Sequence, residues 1–165
     1  RTSAYDAAVS RWFAYAAEEM FPPTLTLSAR RLDLLHYGEN PHQRAAFYAD
    51  GSLSRSLASA TLALGERLSY NNLNDASAAF GLASEFIRPA VVIVKHANPC
   101  GVALGETLAE AYAKAYACDT VSAYGGIIAV NRPVDAALAE AITQLFVEVL
   151  VAPSADAEAL ERLKS

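Results

Sequence analysis

Apolar positions recur along this chain in two rhythms, one of helices and one of strands. From Ser3 to Met20 they fall at Ala4, Ala8, Val9, Trp12, Phe13 and Ala16, which is the spacing of one helix face. Phe21-Pro22-Pro23 ends that helix, because proline lacks the amide donor and crowds a helix interior. Thr24-Leu25-Thr26-Leu27 alternates as a strand does, and Arg30 to Leu35 leads into a polar, aromatic octapeptide, His36-Tyr37-Gly38-Glu39-Asn40-Pro41-His42-Gln43. Arg44 to Tyr48 predicts a strand and Ala49 to Ser54 a turn, whereas Ala60 to Leu68 has no clear period. An Ala-rich helical pattern runs from Ala76 to Phe86, with Asn74 or Asp75 as its N-cap. Val91 to Val94, four aliphatic residues bounded by Pro89 and by Asn98-Pro99, predict a short strand buried on both faces. Gly105-Glu106-Thr107 opens a helix over Leu108 to Ala117, and Ser122 to Gly126 makes a turn before a second buried strand, Ile127 to Val130. A helix over Val134 to Phe146, a strand over Val147 to Val151 and a helix over Ser154 to Leu163, opened by a capping pattern, complete the series.

Strands alternating with helices predict an α/β fold, a layered sheet flanked by helices. At 165 residues, with 53% apolar and 19% charged residues, the chain is that of a globular protein with a sizeable core. No apolar run approaches the ~20 residues that span a bilayer, and no basic-then-apolar leader opens the chain, so neither a membrane nor a secretory role is expected. Two cysteines, Cys100 and Cys118, make no disulfide framework, which fits a reducing, cytoplasmic setting. A net charge of −5 without a basic cluster argues against nucleic acid as a partner.

The candidate chemistry sits where the strand Val91 to Val94 runs into Lys95-His96. Successive side chains on a strand face opposite ways, so both can serve one site only if the strand ends there and the backbone bends. Asn98 before Pro99 is the expected bend, since the residue preceding proline is pushed out of the α region. These residues alone leave two readings open: a loop site of an open α/β sheet, or a surface lysine beside a structurally hydrogen-bonded histidine.

Four stretches in order, His36 to Gln43, Leu68-Ser69-Tyr70-Asn71-Asn72, Lys95 to Gly101 and Ser122 to Gly126, resemble the transformylase part of the bifunctional AICAR transformylase/IMP cyclohydrolase family. The resemblance implies a piece of a longer chain. Residues 1–22 are similar to the last helix of the cyclohydrolase domain, and 23–165 to the first of two cytidine-deaminase-like halves, a mixed sheet flanked by helices. It implies formyl transfer from 10-formyl-tetrahydrofolate, as co-substrate, to the 5-amino group of AICAR, giving FAICAR and tetrahydrofolate; the parent chain also cyclises FAICAR to IMP. A homodimer with shared active sites is implied too, and so is an isolated piece that lacks activity.

The AICAR amine is a poor nucleophile because its lone pair is delocalised, so a base should take its proton as it attacks; His96 matches the family's catalytic histidine. Lys95 matches the lysine that stabilises the oxygen of the formyl group as its carbon becomes tetrahedral. AICAR contacts carry over to His36, Tyr37, Gly125 and Glu148, with Asn72 as a further candidate. Arginine stands in the family where this chain has His36, and histidine grips an anion less firmly and with a pH dependence. Taken singly, Tyr37, Gly125 and Glu148 read rather as a capped aromatic, a turn glycine and an edge-strand carboxylate, and only the resemblance makes them substrate contacts; His42 is expected to hold the Asn40-Pro41 turn.

A zinc-dependent deaminase would need His-x-Glu and Pro-Cys-x-x-Cys. Asn98 and Ala103 stand where the Glu and the second Cys should be, so no metal site is expected. Two further readings stay open: a non-catalytic folding or dimerisation module, and a zinc-free, deaminase-like nucleotide-binding domain.

Overall fold

Val91 to Val94 are shut off from solvent on both faces, as an uninterrupted aliphatic run should be. The structure, a computed structural model, describes residues 2–51 and 56–164, so part of the turn expected over Ala49 to Ser54 lies outside the described residues. Its strands are β1 (Arg30–Leu35), β2 (Ala45–Ala49), β3 (Ala90–Lys95), β4 (Asn98–Leu104), β5 (Gly126–Val130) and β6 (Val147–Val151); its α-helices are α1 (Thr2–Ala16), α2 (Tyr70–Ser84), α3 (Leu108–Cys118), α4 (Ala136–Ile142) and α5 (Ala157–Leu163). The main sheet has the order β4-β3-β5-β6. Strand β3 is antiparallel to both neighbours, and β5 and β6 are parallel, so the expected layered mixed sheet is present.

Alternation along β3 and β5 divides the core. Val92, Val94, Ile127 and Ala129 meet Ala76, Ala79 and Ala83 of α2 on one face. On the other, Val91, Ile93, Ile128 and Val130 join Leu108, Ala111, Tyr112, Ala115, Leu138 and Ile142 from α3 and α4. Alanines at those three α2 positions make a narrow stripe that lets the helix lie close to the sheet.

Several boundaries differ from expectation. Thr24 to Leu27 form no strand with the described residues: Leu25 and Leu27 are exposed, whereas Arg30 to Leu35, which carried no strand signal, pairs antiparallel with β2 in a separate ribbon. Helix α2 starts six residues before the expected Ala76. Ser69 is its N-cap, its hydroxyl accepting from the Asn72 amide at 3.1 Å while Asn72 Oδ1 accepts from the Ser69 amide at 3.1 Å, a reciprocal capping box. Helix α4 is shorter than Val134 to Phe146, because Asp135 caps it through the Leu138 amide at 2.8 Å and Val134 is drawn into a bridge with Ala155. Asp156 likewise caps α5, two residues after the expected start at Ser154.

The strand β4 was hidden by Pro99 and Gly101. It is an edge strand, where proline's missing donor can face outward. At Gly101 a Cβ would stand 2.1 Å from the Ala115 carbonyl oxygen, so glycine permits α3 to lie against the strand.

Candidate active site

The bend that Lys95-His96 requires is made by His96 and Ala97 themselves. Strand β3 ends at Lys95, β4 begins at Asn98, and the two intervening residues both have positive φ, 55° and 59°. Two left-handed residues in a two-residue hairpin are what a type I′ turn demands, and Asn-Gly is its usual occupant. The expected bend at Asn98 is thereby corrected: Asn98 pairs with Lys95 in the ladder, and its amide Nδ2 donates to the His96 carbonyl at 2.7 Å. The turn is gripped from α2. One Asp75 carboxylate oxygen accepts from the His96 amide at 3.0 Å and the other from the Ala97 amide at 2.8 Å. His96 is exposed at the apex, and Lys95 is half-buried with its ammonium donating to the Tyr124 carbonyl at 2.6 Å.

That contact ties the lysine to the loop before β5. Asp119 organises the loop, accepting from the Ser122 hydroxyl at 2.5 Å, the Ser122 amide at 2.9 Å and the Val121 amide at 3.1 Å. The hydroxyl first, then the amides, hold its carboxyl below the usual range. Gly125 has φ 66° and donates its amide to the Phe146 carbonyl at 2.8 Å, joining the loop to the segment that enters β6.

Gly126 pairs with Val147 and Ile127 with Val149, so Glu148 is an extra residue bulged out of the ladder. Bulges re-aim side chains. The Glu148 carboxylate accepts from Asn72 Nδ2 at 2.5 Å, across from the first turn of α2. Asn72 is therefore committed at both ends of its amide, to the helix cap and to Glu148.

His36 and Tyr37 are exposed where β1 ends. The turn after them is held by Gln43 rather than His42: Gln43 donates to the Asn40 carbonyl at 3.0 Å, its carbonyl accepts from Gly38 at 2.9 Å, and its Oε1 accepts from the Asn40 amide at 2.8 Å. The octapeptide reaches α2 through Asn71, which donates to the Glu39 carbonyl at 3.5 Å, and a shallow hollow between Glu39, Gln43 and Tyr70 lies alongside. Among the described residues no hydrogen bond joins His36 or Tyr37 to the cluster around Lys95.

A further hollow lies elsewhere, between Phe80, Ser84, Asn131 and Pro153 toward the C-terminal half of α2, with none of the expected site residues in it. Cys100, the extra residue of the β3–β4 bulge, lies with Sγ 3.6 Å from the Ile93 carbonyl, and burial pushes its thiol up. Among the described residues no three His, Cys, Asp or Glu side chains are grouped to hold a metal ion.

Lys95, Gly125 and Glu148 thus lie at one end of the main sheet, with the Lys95 ammonium on the carbonyl before Gly125, Asn72 on Glu148, and His96 tied to α2 through its backbone amide; no side-chain hydrogen bond among the described residues joins Lys95 or His96 to Asn72 or Glu148. Asp75 was missed, having been expected only as a cap. A signal was available: Asn72 and Asp75 continue toward the N-terminus the same helix stripe as Ala76, Ala79 and Ala83, and polar residues on a core-facing stripe must reach something polar.

Comparison with known proteins covers the chain end to end. Residues 1–165 match the family described as AICARFT/IMPCHase bienzyme. The bifunctional purine biosynthesis protein PurH of Cereibacter sphaeroides is 58% identical over 162 residues, covering 96% of this chain and 31% of that protein. The protein of the same name from Rhodospirillum rubrum is 54% identical over 159 residues, 96% of this chain and 30% of its own length. That from Jannaschia sp. is 56% identical over 162 residues, with coverage of 96% and 30%. The chain therefore spans less than a third of the length of these curated relatives.

Proposed function

This chain belongs to the AICARFT/IMPCHase bienzyme family, and on that premise we propose that it supplies the catalytic histidine and lysine for formyl transfer from 10-formyl-tetrahydrofolate to AICAR, within a longer protein that also cyclises FAICAR to IMP. The observation that carries this is the hairpin apex, where His96 is presented to solvent while the Lys95 ammonium is held against the Tyr124 carbonyl, next to Gly125.

In this scheme His96 takes the proton that the AICAR amine loses as it attacks the formyl carbon. The Lys95 ammonium stabilises the negative charge gathering on the formyl oxygen, an electrostatic contribution that is large where the donor is already in place. Glu148, exposed and oriented by Asn72, is suited to accept hydrogen bonds from the amine or hydroxyl groups of the substrate. His36 and Tyr37 form a second wall, reached through the Asn71–Glu39 contact.

The same proposal assigns 1–22 to the end of the cyclohydrolase domain and 23–165 to the first of two cytidine-deaminase-like halves. It makes formyl-folate the co-substrate and the whole protein a cytoplasmic homodimer with shared sites.

The test is formyl transfer by the full-length protein that carries this segment. His96→Ala is expected to lower kcat by about 10²–10⁴-fold, the range for a positioned general base, with AICAR still bound; Lys95→Ala should do comparable damage. Near-normal turnover in a folded, AICAR-binding His96→Ala protein would return the histidine to a structural role.

A further inference from the structure

The hairpin apex is an expensive place for His and Ala. A non-glycine residue with φ near +55° is disfavoured, and here two stand in succession, with no glycine to relieve either. Strain of this kind persists only where the surroundings over-determine it, and what surrounds it is Asp75. Its two oxygens take the two consecutive amides of the turn, at 3.0 and 2.8 Å, from a helix anchored to the sheet by Ala76 and Ala79. Asn98 Nδ2 adds one further bond, to the His96 carbonyl.

Resting on the formyl-transfer reading above, we propose that Asp75 is a positioning residue for that reaction: by gripping the His96 and Ala97 amides it holds the left-handed turn that presents the His96 imidazole at the end of β3. Asp75 touches no reacting atom in this role. It acts on His96 through the backbone, and so should govern turnover more than affinity for AICAR, whose contacts lie on Glu148 and the Gly125 loop.

In the full-length protein, Asp75→Asn keeps the shape but turns one acceptor into a donor facing an amide N–H. It is expected to lower kcat by about 10²-fold, the effect of displacing a catalytic group by roughly an ångström, with the KM for AICAR changed little. Adding Ala97→Gly to Asp75→Asn removes one left-handed penalty and should return about tenfold of the lost turnover. A general loss of helix stability would not be rescued from the hairpin.

In a His96→Ala background, Asp75→Asn should cost nothing further, because its effect runs through the imidazole. Three results are separable. If His96→Ala leaves turnover intact, the formyl-transfer reading falls. If His96→Ala abolishes turnover while Asp75→Asn leaves kcat unchanged, the positioning role alone is overturned. If Asp75→Asn lowers kcat equally with and without His96, Asp75 acts elsewhere and the role is overturned again. Should Asp75→Asn fail to fold, Ala97→Val on the intact Asp75 background poses the same question, since a β-branched residue resists positive φ. A fall in kcat at constant KM supports the role, and an unchanged kcat refutes it.

Discussion

At the scale of single residues, Asn72 and Asp75 each serve more than one neighbour. Asn72 is the clearest: its Oδ1 closes the capping box with Ser69 and its Nδ2 holds Glu148. Two substitutions should therefore separate. On the formyl-transfer reading, Glu148→Ala removes a charged acceptor proposed to meet AICAR, and hydrogen bonds to charged groups are worth roughly 1.5–3 kcal/mol, so the Kd for AICAR in the full-length protein is expected to rise about 10–100-fold while the melting temperature stays nearly constant. Asn72→Ala should raise the same Kd by misaiming Glu148 and also destabilise the fold by about 1 kcal/mol through the lost cap. Calorimetric titration with AICAR alongside thermal unfolding distinguishes the two. A Glu148→Ala protein that binds AICAR normally would remove this carboxylate from the binding set.

At the scale of elements, packing tolerances decide which glycines are indispensable. Gly101→Ala would force its Cβ against the Ala115 carbonyl of α3 and push helix from strand, with an expected loss of about 1–3 kcal/mol read as a lower unfolding midpoint. Gly81→Ala, on the exposed side of α2 with open space around it, should instead stabilise by a few tenths to about 1 kcal/mol. The buried strands were legible in the sequence because β3 and β5 are apolar on both faces and no other structure suits so short a run. Strand β4 was not, because Pro99 and Gly101 mark breaks unless one knows the strand lies at an edge against a helix. Strand β1 was not either, since Arg30 to Leu35 gains its structure only from β2. Within the site, adjacency in sequence made Lys95 and His96 visible. Asp75 lies 21 residues from His96, and only the folded chain shows its carboxylate on the turn.

At the scale of the whole molecule, the main sheet and its four helices form one body, while α1 and the segment after it stand apart in character. Helix α1 exposes Trp12, Phe13 and Tyr15, and the stretch that follows exposes Met20, Leu25 and Leu27 without regular structure. Brief chymotrypsin treatment is expected to cut first at Leu25 or Leu27, releasing α1 from a product that keeps the β3-centred sheet. First cuts within α2 or α3 would contradict the proposed boundary near residue 22. The two groups that the proposed site would combine also belong to different sheets. Lys95 ends β3 and His96 follows it in the turn, on a strand bonded to a neighbour on each side and covered on both faces, whereas His36 and Tyr37 follow a strand of a two-stranded ribbon, a unit marginally stable by itself. The two groups should therefore keep different time. In deuterium exchange the amides of Val92 to Val94 should open only with the whole fold, and those near Leu35 should exchange far sooner through local opening. On the formyl-transfer reading, the Lys95-His96 pair would thus be a fixed reference against which the His36-Tyr37 segment can breathe.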